Sequence, residues 1–270
     1  MQKQHVALAP DERLDQVNEG LALIQKINGL TYGTDAYLLA AAVAPQPNAL
    51  CVDLGSGTGI ISLLLAQRER VGRVVGVEVQ PPFAALINRN AALNGLVGRV
   101  SAVCADVRDM TQSKLAQILG VAGSVTADVV VCNPPYMTCN SGARNEHDEK
   151  YLARHEVCGG VEDFCAAAAR LLRFGGRFYI VWRPDRLTDL FAALRRHRLE
   201  PKRMTTVHAD TGSAPCMVLI EARAGGAPSL TVTPPLILHE VESRSQSHRP
   251  LSAQAERVYE SMSLDVLSES

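Results

Sequence analysis

The chain of 270 residues is 47% hydrophobic and 20% charged, with a formal net charge of −1. These totals suit one large globular domain or two small ones, and they exclude a global basic field, so a nucleic-acid partner would have to be held by a local patch. The N-terminus lacks a signal-like apolar segment and no run reaches the roughly 18–20 apolar residues of a membrane span, so a cytoplasmic location with no membrane partner is expected.

In chain order, residues 1–48 read as an N-terminal extension that packs on the main domain. Strand-like apolar runs at 49–54, 73–79, 99–104 and 127–132 alternate with helix-like segments at 60–67, 83–93 and 113–119. Past a polar loop at 137–158, the spacing predicts a helix over 161–174 closed by Gly175-Gly176 and a strand over 177–182. A further helix over 184–197 starts at a proline, where proline is tolerated. Repeated βα units imply a parallel sheet covered by helices on both faces. From residue 199 the pattern becomes strand followed by strand, and 204–209 and 216–222, joined through Thr211-Gly212-Ser213, read as an antiparallel pair. Residues 239–270 are polar and weakly patterned, which reads as a frayed or disordered tail beyond a main domain at 49–238. The seven cysteines, at 51, 104, 132, 139, 158, 165 and 216, form no C-x-x-C pair; Cys51, Cys104 and Cys132 fall in strands and suit buried thiols, and no metal site is expected.

The first βα turn is Asp53-Leu54-Gly55-Ser56-Gly57-Thr58-Gly59. Its glycines let a backbone approach a ligand closely, but the spacing is G-x-G-x-G rather than the dinucleotide fingerprint G-x-G-x-x-G. Asp53 would repel a phosphate and attract an ammonium or sulfonium, which points to S-adenosylmethionine. Glu78, near the end of the second of these strands, is placed to accept ribose hydroxyls, and Asp106, beside Val107 after the third, to accept from an adenine amino group.

The fourth strand ends in Asn133-Pro134-Pro135-Tyr136. A rigid exit from a strand accounts for the prolines but not for the amide and the aromatic ring beside them. A nucleobase amino group is a poor nucleophile, and the Asn133 side-chain oxygen with the Pro134 carbonyl could orient its nitrogen towards a methyl group. Pro135 would stiffen the turn and Tyr136 would stack on an extruded base.

These residues resemble a class I S-adenosylmethionine-dependent methyltransferase: Rossmann-like α/β, a mostly parallel seven-stranded sheet and an antiparallel C-terminal strand pair. Gly33-Thr34-Asp35-Ala36-Tyr37-Leu38-Leu39 is similar to a segment of the tRNA adenine-N6 methyltransferases, which act beside the anticodon of a valine tRNA. Arg183–Leu187, Glu200–Met204 and the loop around Arg154 continue the likeness. The resemblance implies S-adenosylmethionine as cofactor and tRNA as partner. It places Thr34, Asp53, Gly55, Gly57, Gly59, Glu78, Asp106 and Val107 at the cofactor, and Asp35 and Arg154 at the substrate. Arg183, Arg186, Lys202 and Arg203, within a run that also holds Arg195, Arg196 and Arg198, would form the local basic surface. Where the family commonly has a polar residue near the penultimate strand, this chain has Ala214-Pro215-Cys216. An rRNA guanine-N2 acceptor, a protein glutamine acceptor and a non-catalytic cofactor- or RNA-binding module remain open alternatives; oligomeric state is not indicated.

Overall fold

A computed structural model describes residues 7–28, 32–134, 160–240 and 249–268. The expected Pro135, Tyr136 and Arg154 sites and the polar loop at 137–158 lie outside the described residues.

The alternating apolar runs become the strands β3 (Gln46–Leu54), β4 (Val71–Glu78), β5 (Val100–Cys104), β6 (Ala127–Cys132) and β7 (Leu172–Trp182). Between them stand helices α2 (Ile60–Gln67), α3 (Pro81–Leu93), α4 (Gln112–Leu119) and α5 (Val161–Leu171). Helix α6 (Leu187–Arg196) then leads to β8 (Leu199–His208) and β9 (Pro215–Ala224). The sheet order is β8-β9-β7-β6-β3-β4-β5, with two two-residue strands, β10 (Thr231–Val232) and β11 (Leu236–Ile237), pairing with β8. Strands β3 to β7 are parallel to their neighbours and β9 runs antiparallel to both β7 and β8. Central strands such as β3 and β6 are buried on both faces (Cys51, Val52, Leu54 and Val129–Cys132 are all fully inaccessible), which is why they read as unbroken apolar runs.

Two boundaries differ from the sequence reading. The helix expected over 161–174 stops at Leu171, because Leu172 turns extended (φ −69°, ψ 143°) and pairs with Ala127 at the start of β6. Arg173 then donates to Asp128 at 2.6 Å, and the register between β6 and β7 shifts across the Gly175-Gly176 bend. The helix expected from Pro184 opens as a single 3-10 turn, Pro184–Arg186, before α6 begins. Of the three strand cysteines expected to be buried, Cys51 and Cys132 are, whereas Cys104 is exposed at the edge strand β5.

The ends of the chain are more structured than their composition suggested. Strands β1 (Glu12–Asn18) and β2 (Leu21–Lys26) form an antiparallel hairpin, and α1 (Thr34–Ala42) follows with Ala36 to Ala41 buried. Two asparagines one turn apart on α3 act as a strand partner for β2. Asn94 exchanges hydrogen bonds with Ala22 N and O (2.9 and 2.7 Å), and the fully buried Asn90 does so with Ile24 N and O (2.7 and 3.2 Å) and also donates to Thr58 O (3.0 Å). The tail read as frayed is corrected in its described part. Helix α7 (Ala253–Ser261) is capped by Ser252, whose hydroxyl accepts from Ala255 N at 3.0 Å, and Ala255, Val258, Met262, Leu264 and Leu267 are buried. Tyr259 stacks on Tyr37 of α1 with ring centroids 4.6 Å apart, and the Tyr37 hydroxyl donates to Tyr259 O at 2.9 Å. Few apolar residues suffice for this segment because it closes over a core already formed, so a hydropathy pattern too weak for an isolated helix still docks.

Asn90→Ala leaves backbone groups of Ile24 and Thr58 buried without partners, and is expected to cost about 2–4 kcal/mol in urea unfolding, against about 1 kcal/mol for Asn94→Ala.

Candidate active site

Strand order reverses between β3 and β6, and the loops after these two strands leave a crevice at their carboxyl ends, where open α/β sheets bind ligands. The glycine loop leaves β3 with Gly55 N and Ser56 N donating to Val77 O (2.9 and 3.1 Å). Gly59 caps α2 in the left-handed region (φ 88°), and a Cβ there would meet Ile87 at 3.0 Å, so a side chain is excluded twice. At Gly57, by contrast, a Cβ would meet nothing within 4 Å: the loop borders open space. Glu78 accepts from Gly57 N and Gln80 N, one to each oxygen, both at 2.9 Å, so its carboxylate is aimed across the loop.

Asp53 and Ser56 each hold a buried polar atom without a hydrogen-bond partner. Asp53 is 1% exposed in the central strand; one oxygen accepts from Ser62 Oγ at 2.7 Å, and the other has no partner. Burial pushes its carboxyl up to about 7, the Ser62 hydrogen bonds opposing and Glu78 adding to the rise. The buried Ser56 hydroxyl is likewise unpartnered. An orphaned carboxyl oxygen, an orphaned hydroxyl, a second acid and an open glycine loop fit a cationic nucleoside such as S-adenosylmethionine. Asp106 stands after β5 as expected, but its oxygens accept from Arg108: the backbone N at 2.8 Å and Nε at 2.9 and 3.0 Å. The Arg108 guanidinium holds its carboxyl below the usual range. Val107, beside it, is buried.

On the other side of the crevice Asn133 follows β6, and its Nδ2 donates to Asp35 Oδ2 at 3.0 Å, across 98 positions of sequence. Pro134 is buried behind it. Asp35 in turn lines a cleft of about 740 Å³, together with Thr34 from α1, Trp182–Asp185 at the end of β7 and beyond it, and Ala214–Met217 at the start of β9. The Ala214-Pro215-Cys216 departure therefore makes one wall of this cleft apolar. Sequence reasoning missed Trp182, Ser56, Ser62 and Asn90. Trp182 was within reach, since it ends a strand on the ligand-binding side; the serines and Asn90 gave no signal that separates them from ordinary helix and loop residues.

The predicted basic surface is not assembled as one patch. Arg183 lines the cleft and Arg186 ends the 3-10 turn that follows it, whereas Lys202 and Arg203 stand in the first half of β8, where Arg203 is level with Tyr179 through their shared neighbour Glu221. The ten-residue helix α6 puts Arg195 and Arg196 about 15 Å further along from Arg186. Acids also answer most of these cations: Arg183–Asp185 at 2.7 Å, Arg186–Asp189, Arg195–Glu200 at 3.3 Å, Arg196–Glu162 at 2.8 Å and Arg203–Asp265 at 3.0 Å. Lys202 donates to Ala227 O and Ser229 Oγ. Among the described residues no cluster of His, Cys, Asp and Glu could hold a metal, and no helix is long and apolar enough to cross a membrane.

Comparison with known proteins bears on this geometry. The TRM5/TYW2 methyltransferase domain profile matches residues 39–140. A tRNA1(Val) (adenine(37)-N6)-methyltransferase of Porphyromonas gingivalis is 32% identical over 195 residues, 71% of this chain and 73% of that protein. One of the same name from Phocaeicola vulgatus is 30% identical, over 70% of this chain and 74% of its own. Among solved structures, an Agrobacterium tumefaciens protein described as a predicted O-methyltransferase superposes with TM-score 0.64 at 23% identity, covering 85% of this chain and 97% of that one. Pyrococcus horikoshii TYW2 with MeSAdo bound gives 0.55 at 16% identity, over 81% and 73% of the two chains. At these identities the structures show a shared fold.

Because burial favours the protonated form of Asp53, its contribution to stability is full below the unfolded carboxyl value and is lost as pH rises towards about 7. A cationic ligand binds the ionised form, so affinity has the opposite sign. The Kd for S-adenosylmethionine measured by calorimetry is expected to tighten about tenfold between pH 5.5 and 7.5, and Asp53→Asn to flatten that profile.

Proposed function

Because this chain belongs to the tRNA1(Val) (adenine(37)-N6)-methyltransferase family, whose members use S-adenosylmethionine, we propose that it methylates N6 of the adenine beside the anticodon of a tRNA in the cytoplasm. The observation that carries the proposal is Asn133, which leaves β6 beside the glycine loop at the switch point of the sheet and is hydrogen-bonded to Asp35, a residue that lines the cleft.

S-adenosylmethionine, when bound, supplies an electrophilic methyl group on a positively charged sulfur. Asp53, Ser56 and Glu78 offer it acceptors and opposite charge, Gly55, Gly57 and Gly59 the close backbone approach, and Thr34, Asp106 and Val107 line the same site. In the cleft, Asn133 Oδ1 and Pro134 O accept the two hydrogens of the base amino group, which turns the nitrogen lone pair to the methyl carbon. Bound S-adenosylmethionine would supply the methyl carbon for the new N–C bond and would keep the S–C electron pair on its sulfur. The nitrogen gains positive charge and releases a proton to water, so no protein base need be ionised beforehand. Pro135 and Tyr136, outside the described residues, are assigned rigidity and stacking in this scheme, and Arg154 a contact to the RNA. Arg183, at the cleft, and Arg186, three residues further on, are assigned contacts to RNA phosphates that would require their acidic partners to yield. Lys202 and Arg203 belong to the expected basic surface only as a more distant contact.

The decisive experiment offers labelled cofactor to total tRNA, rRNA and protein, followed by nucleoside analysis; N6-methyladenosine in tRNA is expected, and label confined to guanine of rRNA or to protein overturns the substrate. Asn133→Ala should lower kcat at least about 100-fold while leaving cofactor binding intact. Replacing both Arg183 and Arg186 with alanine should weaken tRNA binding about tenfold and reduce its salt slope by about one to two, with Lys202→Ala/Arg203→Ala staying within about twofold.

A further inference from the structure

We propose that Asp35 is the positioning residue of the reaction: its carboxylate selects the one orientation of the Asn133 amide that can accept from the amino group of the base. The proposal rests on the methyl-transfer reading above and assigns Asp35 a role through Asn133 rather than through the RNA.

A primary amide has a donor branch and an acceptor branch that are nearly identical in shape, so packing alone does not choose between them. An ionised carboxylate only accepts. With Asn133 Nδ2 3.0 Å from Asp35 Oδ2, the observed orientation is a charge-assisted hydrogen bond. Rotating the amide by half a turn would set Oδ1 against Oδ2, two acceptors in contact, and would present the NH2 group to a substrate NH2 group. Asp35 therefore disfavours the unproductive state, in which Oδ1 would be turned away from the substrate amino hydrogen.

Asp35 is itself fixed from several directions. Its Oδ1 accepts from Ala36 N at 2.9 Å, in the first turn of α1. A Cβ at Gly33 would lie 2.7 Å from that oxygen, so glycine at 33 is what gives the carboxylate its room. Helix α1 is anchored from behind by the Tyr37–Tyr259 stack and by Leu264 N donating to Ala41 O at 3.3 Å. The two ends of the chain thus meet at the residue that orients the amide.

The test is a double-mutant cycle on the full chain with Asp35→Ala, Asn133→Ala and the pair, reading kcat and KM for methyl transfer to tRNA, cofactor Kd by calorimetry, and Tm. Asp35→Ala should lower kcat about 100-fold with KM within about threefold and cofactor Kd within about twofold, and should cost less than about twofold more once Asn133 is already alanine. Asp35→Asn, which restores an acceptor oxygen without the charge, should recover about tenfold of the loss. Should Asp35→Ala fail to fold by Tm, the same cycle with Asp35→Asn decides the matter. Wild-type kcat in the folded Asp35 variant, or losses that multiply in the pair, overturn the assignment of Asp35 while leaving the methyl-transfer reading standing. A wild-type chain that transfers no methyl group to any RNA overturns that reading and this proposal together.

Discussion

The parallel pairing of β3 with β6 is the constraint on which the site depends. Cys51, Val52, Asp53 and Leu54 lie opposite Val129, Val130, Val131 and Cys132, so the residues that leave the two strands, Gly55 and Asn133, emerge side by side. Both strands are inaccessible on both faces, so a slip of one residue would turn each apolar side chain to the other face and carry Asp53 away from Ser62. The chain passes from β3 to β4 on one side of this pair and from β6 to β7 on the other, and open α/β sheets form their crevice at the carboxyl ends of such a pair.

Within this frame the binding half of the site is under electrostatic tension. An acid in the middle of a buried sheet is disfavoured when charged, and Asp53 with its unpartnered oxygen shows it. Glu78 faces the same loop but receives two backbone N–H groups, which compensate its burial. A cationic ligand beside Asp53 would favour its ionised form.

The acceptor half depends on segments remote in the chain. Asn133 takes its partner from α1, α1 leans on α7, and the hairpin that precedes α1 is stitched by Asn90 and Asn94 to α3 and by Asn90 to the glycine loop. The same Asn90 side chain touches both the N-terminal hairpin and Thr58, so the two halves of the site are coupled through a hydrogen-bonded amide as well as through the sheet.

The sequence by itself determined the alternation of strands and helices from 49 to 132, the antiparallel finish, the glycine loop with Asp53 and Glu78, and the place of Asn133 at the end of β6. These are legible because their causes are local: apolar period, turn residues, and acids at strand ends. Only the tertiary structure decided that residues 172–176 extend rather than continue a helix, since the pairing of Leu172 with Ala127 is non-local. It alone decided that the polar C-terminal segment docks as a helix, because the surface it covers is built by α1. It separated a run of arginines into acid-paired positions at the 3-10 turn, on α6 and on β8, which spacing along the chain cannot reveal. It also brought Asp35 to Asn133, since a side-chain amide acquires its direction from whichever group the fold sets beside it.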